Sequence, residues 1–272
     1  MTSAQRTLQE IAQLRDDQIS LERAALLIAA EIQTDLNVDA YLTTLDGLAL
    51  TLKKKISKDP SIAAQQLIDF IHKDEQFKGN IKNYYAPENS YLNRVIDTRQ
   101  GIPLSLALIH LAIGNRLDIN IQGINFPGHF LIRYEALENG IIDPFTGRTL
   151  SQSDCATLLK QVAGPAAVMN PDHLQQATNI GILARLVDNL KQIHWRNKNW
   201  ESADLCLQQQ ILLMPEHHEF RIQFGAMQEM KGDRTGAQQT YLAILQESKS
   251  QKIKETAAQR LLSLEKKPQI LH

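Results

Sequence analysis

The stretch Gly101-Ile102-Pro103-Leu104-Ser105-Leu106-Ala107, followed by Gly123-Ile124-Asn125-Phe126-Pro127-Gly128-His129-Phe130 and then Ile142-Asp143-Pro144, decides the fold. Pro103 sits where a helix accepts proline, in its first turn, because no intrahelical N–H is lost there. Leu104, Leu108, Leu111 and Ala112 continue at helical spacing, and Leu106, Ala107 and Ile113 are apolar too, so the spacing predicts a helix buried on nearly every side. After Arg116-Leu117-Asp118 the pattern becomes that of short strands: Ile119, Ile121 and Gly123, a turn at 125–128, the run 129–134, a second turn at Glu138-Asn139-Gly140, and the run 140–144. Asn-Gly between apolar runs favours an antiparallel hairpin. A helix followed by three short strands makes this part α+β.

Towards the N-terminus the chain reads as helix from about residue 5 to 80. Leu21, Ala24, Ala25, Ile28 and Ile32 repeat at helical spacing, as do Leu42, Leu45, Leu48, Ala49 and Leu52 after Val38. Asp59-Pro60 breaks the pattern, and a third helix with Ala63, Leu67, Ile68 and Ile71 is expected to end near Gly79-Asn80. Residues 83–89 read as a loop, with no further helix expected before Pro103. Beyond Gly164-Pro165 and Asn170-Pro171 the chain returns to helix with an internal period of 34 residues, which pairs Leu190 with Phe224, Ala203 with Ala237 and Leu207 with Tyr241. That period is the tetratricopeptide length, with Pro215 where such a repeat ends and residues 253–264 as a closing helix. Two repeats and a cap are too few to stand free, so the array is expected to lean on the preceding core. Three parts follow: 1–80, the helical N-terminal part of the core; 81–168, its helix and strands; and 172–272, the helical repeats.

Composition narrows the function classes. The 272 residues carry 29 basic and 30 acidic side chains, a net charge of −1, which argues against a nucleic-acid partner. The tightest basic run, Lys53-Lys54-Lys55, reads as the solvated C-terminal end of a helix. No apolar run is long enough for a membrane span. The polar N-terminus lacks the apolar core of a signal peptide, and only Cys155 and Cys206 occur, so a reducing, cytoplasmic location is expected, without disulfides. The histidines of Glu216-His217-His218-Glu219 fall in a predicted turn and point apart, so no metal site is expected, and nothing calls for a cofactor. His194 is read as packing in the repeat.

The segments around Pro-Leu-Ser-Leu, Phe-Pro-Gly-His-Phe and Asp-Pro-Phe resemble the transglutaminase-like core, a papain/transglutaminase-type α+β fold with a small antiparallel sheet. With repeats behind them, residues 20–250 look like the bacterial SirB family, which is associated with regulation. The resemblance implies a catalytic cysteine at a helix N-terminus, a histidine opening the next hairpin strand and an aspartate on the strand after it. The helix terminus and the imidazolium both lower the thiol pKa in such a triad. Carried over, the histidine is His129 and the aspartate Asp143. The cysteine falls on Pro103, judged from the Gly-x-Cys-x-x-x-Ala pattern that Gly101 and Ala107 keep.

Proline has no nucleophile, so the expected function is a non-catalytic interaction or regulatory module binding a protein or peptide partner. The alternative is a hydrolase or amidase using His129 and Asp143 with Ser105. Ser105 lies about 200° further round the helix, on the opposite face from the cysteine position, and a serine needs a stronger base than a thiol does. Cys155, in the first turn of a later helix, is read as a half-buried structural cysteine. His129 and Asp143 are read first as a structural clamp on the hairpin, then as part of a recognition site with Asn125 and Phe126. Arg99 is a candidate partner for a ligand carboxylate or for Asp143, with an ordinary surface salt bridge as the equal alternative.

Overall fold

A computed structural model describes residues 2–266. The domain expected over 172–272 therefore extends, at 267–272, outside the described residues. The order of elements is α1 (Ser3–Ile11), α2 (Leu21–Ala30), α3 (Val38–Lys53), α4 (Pro60–Asp69), β1 (Lys78–Gly79), α5 (Leu92–Thr98), β2 (Gln100–Gly101), α6 (Pro103–Arg116), β3 (Ile121–Ile124), β4 (Leu131–Tyr134), β5 (Ile141–Asp143), β6 (Arg148–Thr149) and α7 (Gln152–Ala163). Five further helices complete the chain: α8 (Asn179–Arg196), α9 (Trp200–Leu213), α10 (His218–Met230), α11 (Arg234–Glu247) and α12 (Gln251–Lys266). The class is α+β with a helical C-terminal region.

Helix α6 forms the centre. Pro103 occupies its first turn, and every residue from Pro103 to Gly114 except Leu111 is buried. The Ile102 N–H donates to the Ser105 hydroxyl at 3.0 Å, which satisfies one of the donors that a helix N-terminus leaves unpaired. Around α6 one continuous core runs from Leu8 to Leu213, drawing in α2, α3, α5 and the first C-terminal hairpin. Strands β3 to β6 form an antiparallel sheet in sequence order, with Ile132 opposite Ile142.

Several local readings need correction. Residues 92–98 are helix rather than loop: Leu92, Val95 and Ile96 bury one face, but seven residues with Asn93, Arg94 and Asp97 between them give a weak periodic signal. The helix ends in Arg99, which takes φ of +58° where glycine is the usual choice. The third helix does not reach Gly79. It ends at Asp69 and passes into a π turn, Phe70–Asp74, in which the Glu75 N–H reaches the Phe70 carbonyl at 2.8 Å. Gly79 instead belongs to β1, which pairs in parallel with β2, and β6 adds a fourth strand to the main sheet.

The C-terminal helices stack as hairpins. The first residues of α9 and α11, Trp200 and Arg234, are 34 residues apart. Ala203 and Ala237 are both fully buried, at matching places in these two helices. A side chain at Gly225 would meet the Tyr241 ring at 2.5 Å, so the absence of a Cβ lets α10 and α11 approach. The array leans on the core: Asp16 caps the head of α8, accepting from the N–H groups of Asn179 (2.8 Å) and Ile180 (3.0 Å). Gln209 of α9 also donates to the Ile28 carbonyl at 3.2 Å.

Candidate functional site

The site begins in the turn between β3 and β4. Gly128 there has φ of +66°, and a side chain on it would strike Val162 of α7 at 2.7 Å, so the turn closes on α7 only with glycine. His129 follows in a bend, two residues before β4 starts at Leu131, rather than opening the strand itself. From this position its Nε2 lies 2.9 Å from Asp143 Oδ1 at the end of β5. Asp143 also accepts from the Phe145 N–H at 2.9 Å and the Thr146 hydroxyl at 2.8 Å. Burial alone would raise its pKa, but the His129 hydrogen bond and charge, with Thr146 and the Phe145 N–H, hold it below the ordinary carboxylate value. A carboxylate only accepts, so Nε2 carries the proton towards Asp143. Nδ1 has no hydrogen-bond partner among the described residues.

A residue that the sequence did not single out holds this turn. Arg185 of α8 donates to the Asn125 side-chain oxygen (3.3 Å), the Phe126 carbonyl (3.1 Å) and the His129 carbonyl (2.7 Å), with its guanidinium over the Phe130 ring. Asn125 is therefore occupied by Arg185. The Phe126 ring does not line a pocket: it is fully buried with Ile124, Leu131, Cys155 and Leu159. Arg99 does not pair with Asp143 either. Its guanidinium lies over the Phe77 ring, bonds the Ile96 carbonyl and pairs with Glu75 at 3.0 Å.

The small parallel sheet bridges Gly101, two residues before Pro103, and Phe145, two residues after Asp143. The Asn80 N–H reaches the Gly101 carbonyl at 3.0 Å, and the Gly79 N–H reaches the Phe145 carbonyl at 2.9 Å. Any side chain on Gly79 would run into the Phe145 ring at 2.3 Å, and one on Gly101 would meet the Ser105 hydroxyl at 2.6 Å. The Ser105 hydroxyl is fully buried and donates to the Asn89 carbonyl at 2.5 Å. His129 is not among its partners. Tyr84 stands over the Phe145 ring, with centroids 5.8 Å apart. Tyr84, Tyr85 and Ile102 border a cavity of about 90 Å³ at the head of α6, opposite Asn189 and Arg196 of α8.

A second polar cluster supports the hairpin from inside. His72, on the π turn, has Nδ1 3.0 Å from the Phe77 carbonyl and Nε2 3.0 Å from His110 Nε2. His110 Nδ1 lies 2.6 Å from the Tyr134 hydroxyl. One proton arrangement satisfies all three bonds: His72 donates to the carbonyl, His110 donates to His72, and Tyr134 donates to His110. Both imidazoles are then neutral, as burial requires, for it pushes both pKa values below the ordinary histidine range. The His72 ring also packs under Gly147, in the turn after Asp143.

The other titratable candidates lie apart. Cys155 is fully buried rather than half-buried, and burial raises its thiol pKa. Cys206 is buried too, and its thiol is pushed up to about 12. His194 is tied to the Tyr91 hydroxyl at 3.0 Å. Lys53 and Lys54 are exposed at the end of α3, and Lys55 pairs with Asp74. Among the described residues no group of three or more His, Cys, Asp or Glu is arranged to hold a metal ion, and no helix is long and apolar enough to cross a membrane.

The family model of the transglutaminase-like superfamily matches residues 39–188, a span that holds α6, the His129–Asp143 hairpin and most of α8. The chain belongs to this superfamily. Within it, the chain is a member of the UPF0162 group, to which SirB1 is related. A UPF0162 protein of Xylella fastidiosa (strain Temecula1) is 30% identical over 84% of this chain and 83% of its own length. A UPF0162 protein of Pseudomonas aeruginosa is 35% identical over 64% of this chain and 65% of its own. Protein SirB1 of Salmonella typhimurium is 28% identical over 53% of this chain and 59% of its own. No solved structure matches the chain. The superfamily match ends inside α8, so the hairpins from α9 onward lie beyond it.

Proposed function

We propose that this member of the superfamily is non-catalytic and serves as a cytoplasmic protein-interaction or regulatory module, its C-terminal hairpins acting as tetratricopeptide-like repeats that bind a protein or peptide partner. One observation carries the reading. The residue at the head of α6, where the family resemblance puts the nucleophile, is a buried proline, while His129 and Asp143 remain assembled. The pair then works as a clamp joining the turn before β4 to the end of β5. The nearby hydroxyl and the thiols supply no replacement: the Ser105 proton is committed to the Asn89 carbonyl, and both cysteines are buried with raised pKa values. The proposed role needs neither metal nor cofactor, and the near-neutral charge speaks against nucleic acid as the partner.

The test is affinity capture from a lysate of the source cells by the wild-type chain and by His129→Ala and Trp195→Ala variants, Trp195 being an exposed ring in the last turn of α8, with thermal melts to check folding. A binding module keeps its captured partner in His129→Ala and loses it in Trp195→Ala. Capture that depends on His129 alone, or turnover of an ester or amide substrate that His129→Ala abolishes, would contradict the reading.

A further inference from the structure

Two cavities beside α8 share lining residues. The larger, about 460 Å³, is lined by Lys191, Trp195 and Arg196 of α8, Ala226 of α10 and Arg260 of α12. The smaller is the cavity of about 90 Å³ beside Tyr84, Tyr85 and Ile102 at the head of α6. Gln192 and Arg196 border both, so the two adjoin, and together they make a channel wall that reaches from Arg260 to Ile102.

The charge of this channel is one-sided. Its walls carry Lys191, Arg196 and Arg260 and no carboxylate, in a chain whose net charge is −1. Lys191 is neutralised by Asp188 at 2.8 Å and held by Gln210 and Gln223. Arg260 lies 3.7 Å from Glu229, a carboxylate already accepting the Tyr241 hydroxyl at 2.7 Å. Arg196 has no carboxylate partner among the described residues and lies over the Tyr85 ring, 5.1 Å from its centroid. Beside these cations Trp195 is 38% exposed and Tyr85 62% exposed. Exposed aromatic and arginine side chains grouped in a concave wall are the residue types that dominate binding energy at protein interfaces.

Resting on the reading of the protein as an interaction module, we infer that this channel is the docking groove for an extended acidic peptide segment. Carboxylates of the segment pair with Arg196 and Arg260, and its apolar side chains cover Trp195. The small cavity beside Tyr84 and Tyr85 takes one aliphatic side chain. One arginine without a carboxylate partner, Arg196, and a second held by Glu229 only at 3.7 Å are few for a polyphosphate backbone, whose affinity grows with each phosphate neutralised, and they suit a peptide with few, spaced carboxylates.

The experiment is fluorescence anisotropy with a labelled peptide alternating glutamate and leucine, titrated with the full chain. The same peptide with glutamine for glutamate, a lysine–leucine peptide and a labelled oligothymidylate serve as competing probes. The acidic peptide should bind best and weaken with added salt. Arg196→Glu and Arg260→Glu should each weaken it by about fivefold or more. Arg260→Glu should also gain affinity for the lysine–leucine peptide, which a misfolded variant would not do. Equal binding of the glutamate and glutamine peptides, no binding of either, indifference to both arginine substitutions, or tighter binding of the oligothymidylate would each overturn the groove. None of these results bears on whether the protein is catalytic, which is decided separately by the dependence of turnover on His129.

Discussion

The His129–Asp143 pair and the His72–His110–Tyr134 chain brace the same hairpin, yet they are built in opposite ways. The first lies at the rim and joins an imidazole to an ionised carboxylate, leaving one ring nitrogen free. The second lies in the core and is a closed chain of neutral groups in which every ring nitrogen is used. The difference is between a pair with one ring nitrogen unpaired among the described residues and a cluster whose ring nitrogens are all spent on partners. Under the proposed reading the rim pair is not catalytic, because the position that the family resemblance assigns to a nucleophile holds Pro103.

The largest effect should come from breaking the core chain. His110→Leu leaves the Tyr134 hydroxyl and His72 Nε2 buried without partners, at about 1–3 kcal/mol each, so urea unfolding should show a loss of about 2–5 kcal/mol. The same variant should flatten the acid dependence of stability above pH 5. Both imidazoles have folded pKa values depressed below the ordinary 6.5, so the unfolded chain binds protons first, and wild-type stability falls as pH drops below that value.

Breaking the rim pair should cost less and act in a different pH window. Asp143→Asn should lose about 1–3 kcal/mol at neutral pH, read from denaturant midpoints. The Asp143 pKa is depressed in the folded state, so its contribution is fully present above the ordinary carboxylate range and is lost as pH falls through the depressed value. Comparing melts near pH 5.5 and pH 3.5 should assign the higher window to the histidine chain and the lower to Asp143. Arg185→Met should cost about 1–2 kcal/mol and speed amide exchange in the turn at 125–129, because three oxygens lose their donor. Smallest of all, Lys55→Ala should change stability by no more than about 0.5 kcal/mol, since both members of its ion pair with Asp74 are more than half exposed.

What the sequence disclosed and what it hid divide along similar lines. Helix α6 and the His129–Asp143 hairpin were legible because their signals are local: a proline in a first helical turn, an apolar run, and two turns between short strands. The 34-residue spacing located the buried alanines of α9 and α11 for the same reason. Arg185 was hidden because its partners lie 56 to 60 residues away and no local rule links α8 to that turn. His72, His110 and Tyr134 are separated by 38 and 24 residues, and His110 looks like a lone interruption in an apolar helix. Of the partners weighed for Arg99, the structure gives an ordinary salt bridge, to Glu75, rather than Asp143. The positive φ of Arg99 turns the chain at the end of α5, and its side chain lies against Phe77 and Glu75.

Under the proposed function, Pro103 stands at the head of α6 where the resemblance implies a cysteine, within reach of the His129–Asp143 pair. The most direct test of that placement is the pH profile of thiol alkylation in Pro103→Cys, compared with the double variant Pro103→Cys/His129→Ala. The account predicts that the introduced thiol reacts at neutral pH faster than an ordinary cysteine and that removing His129 abolishes the advantage. An introduced thiol that is unreactive, or equally reactive without His129, would contradict it.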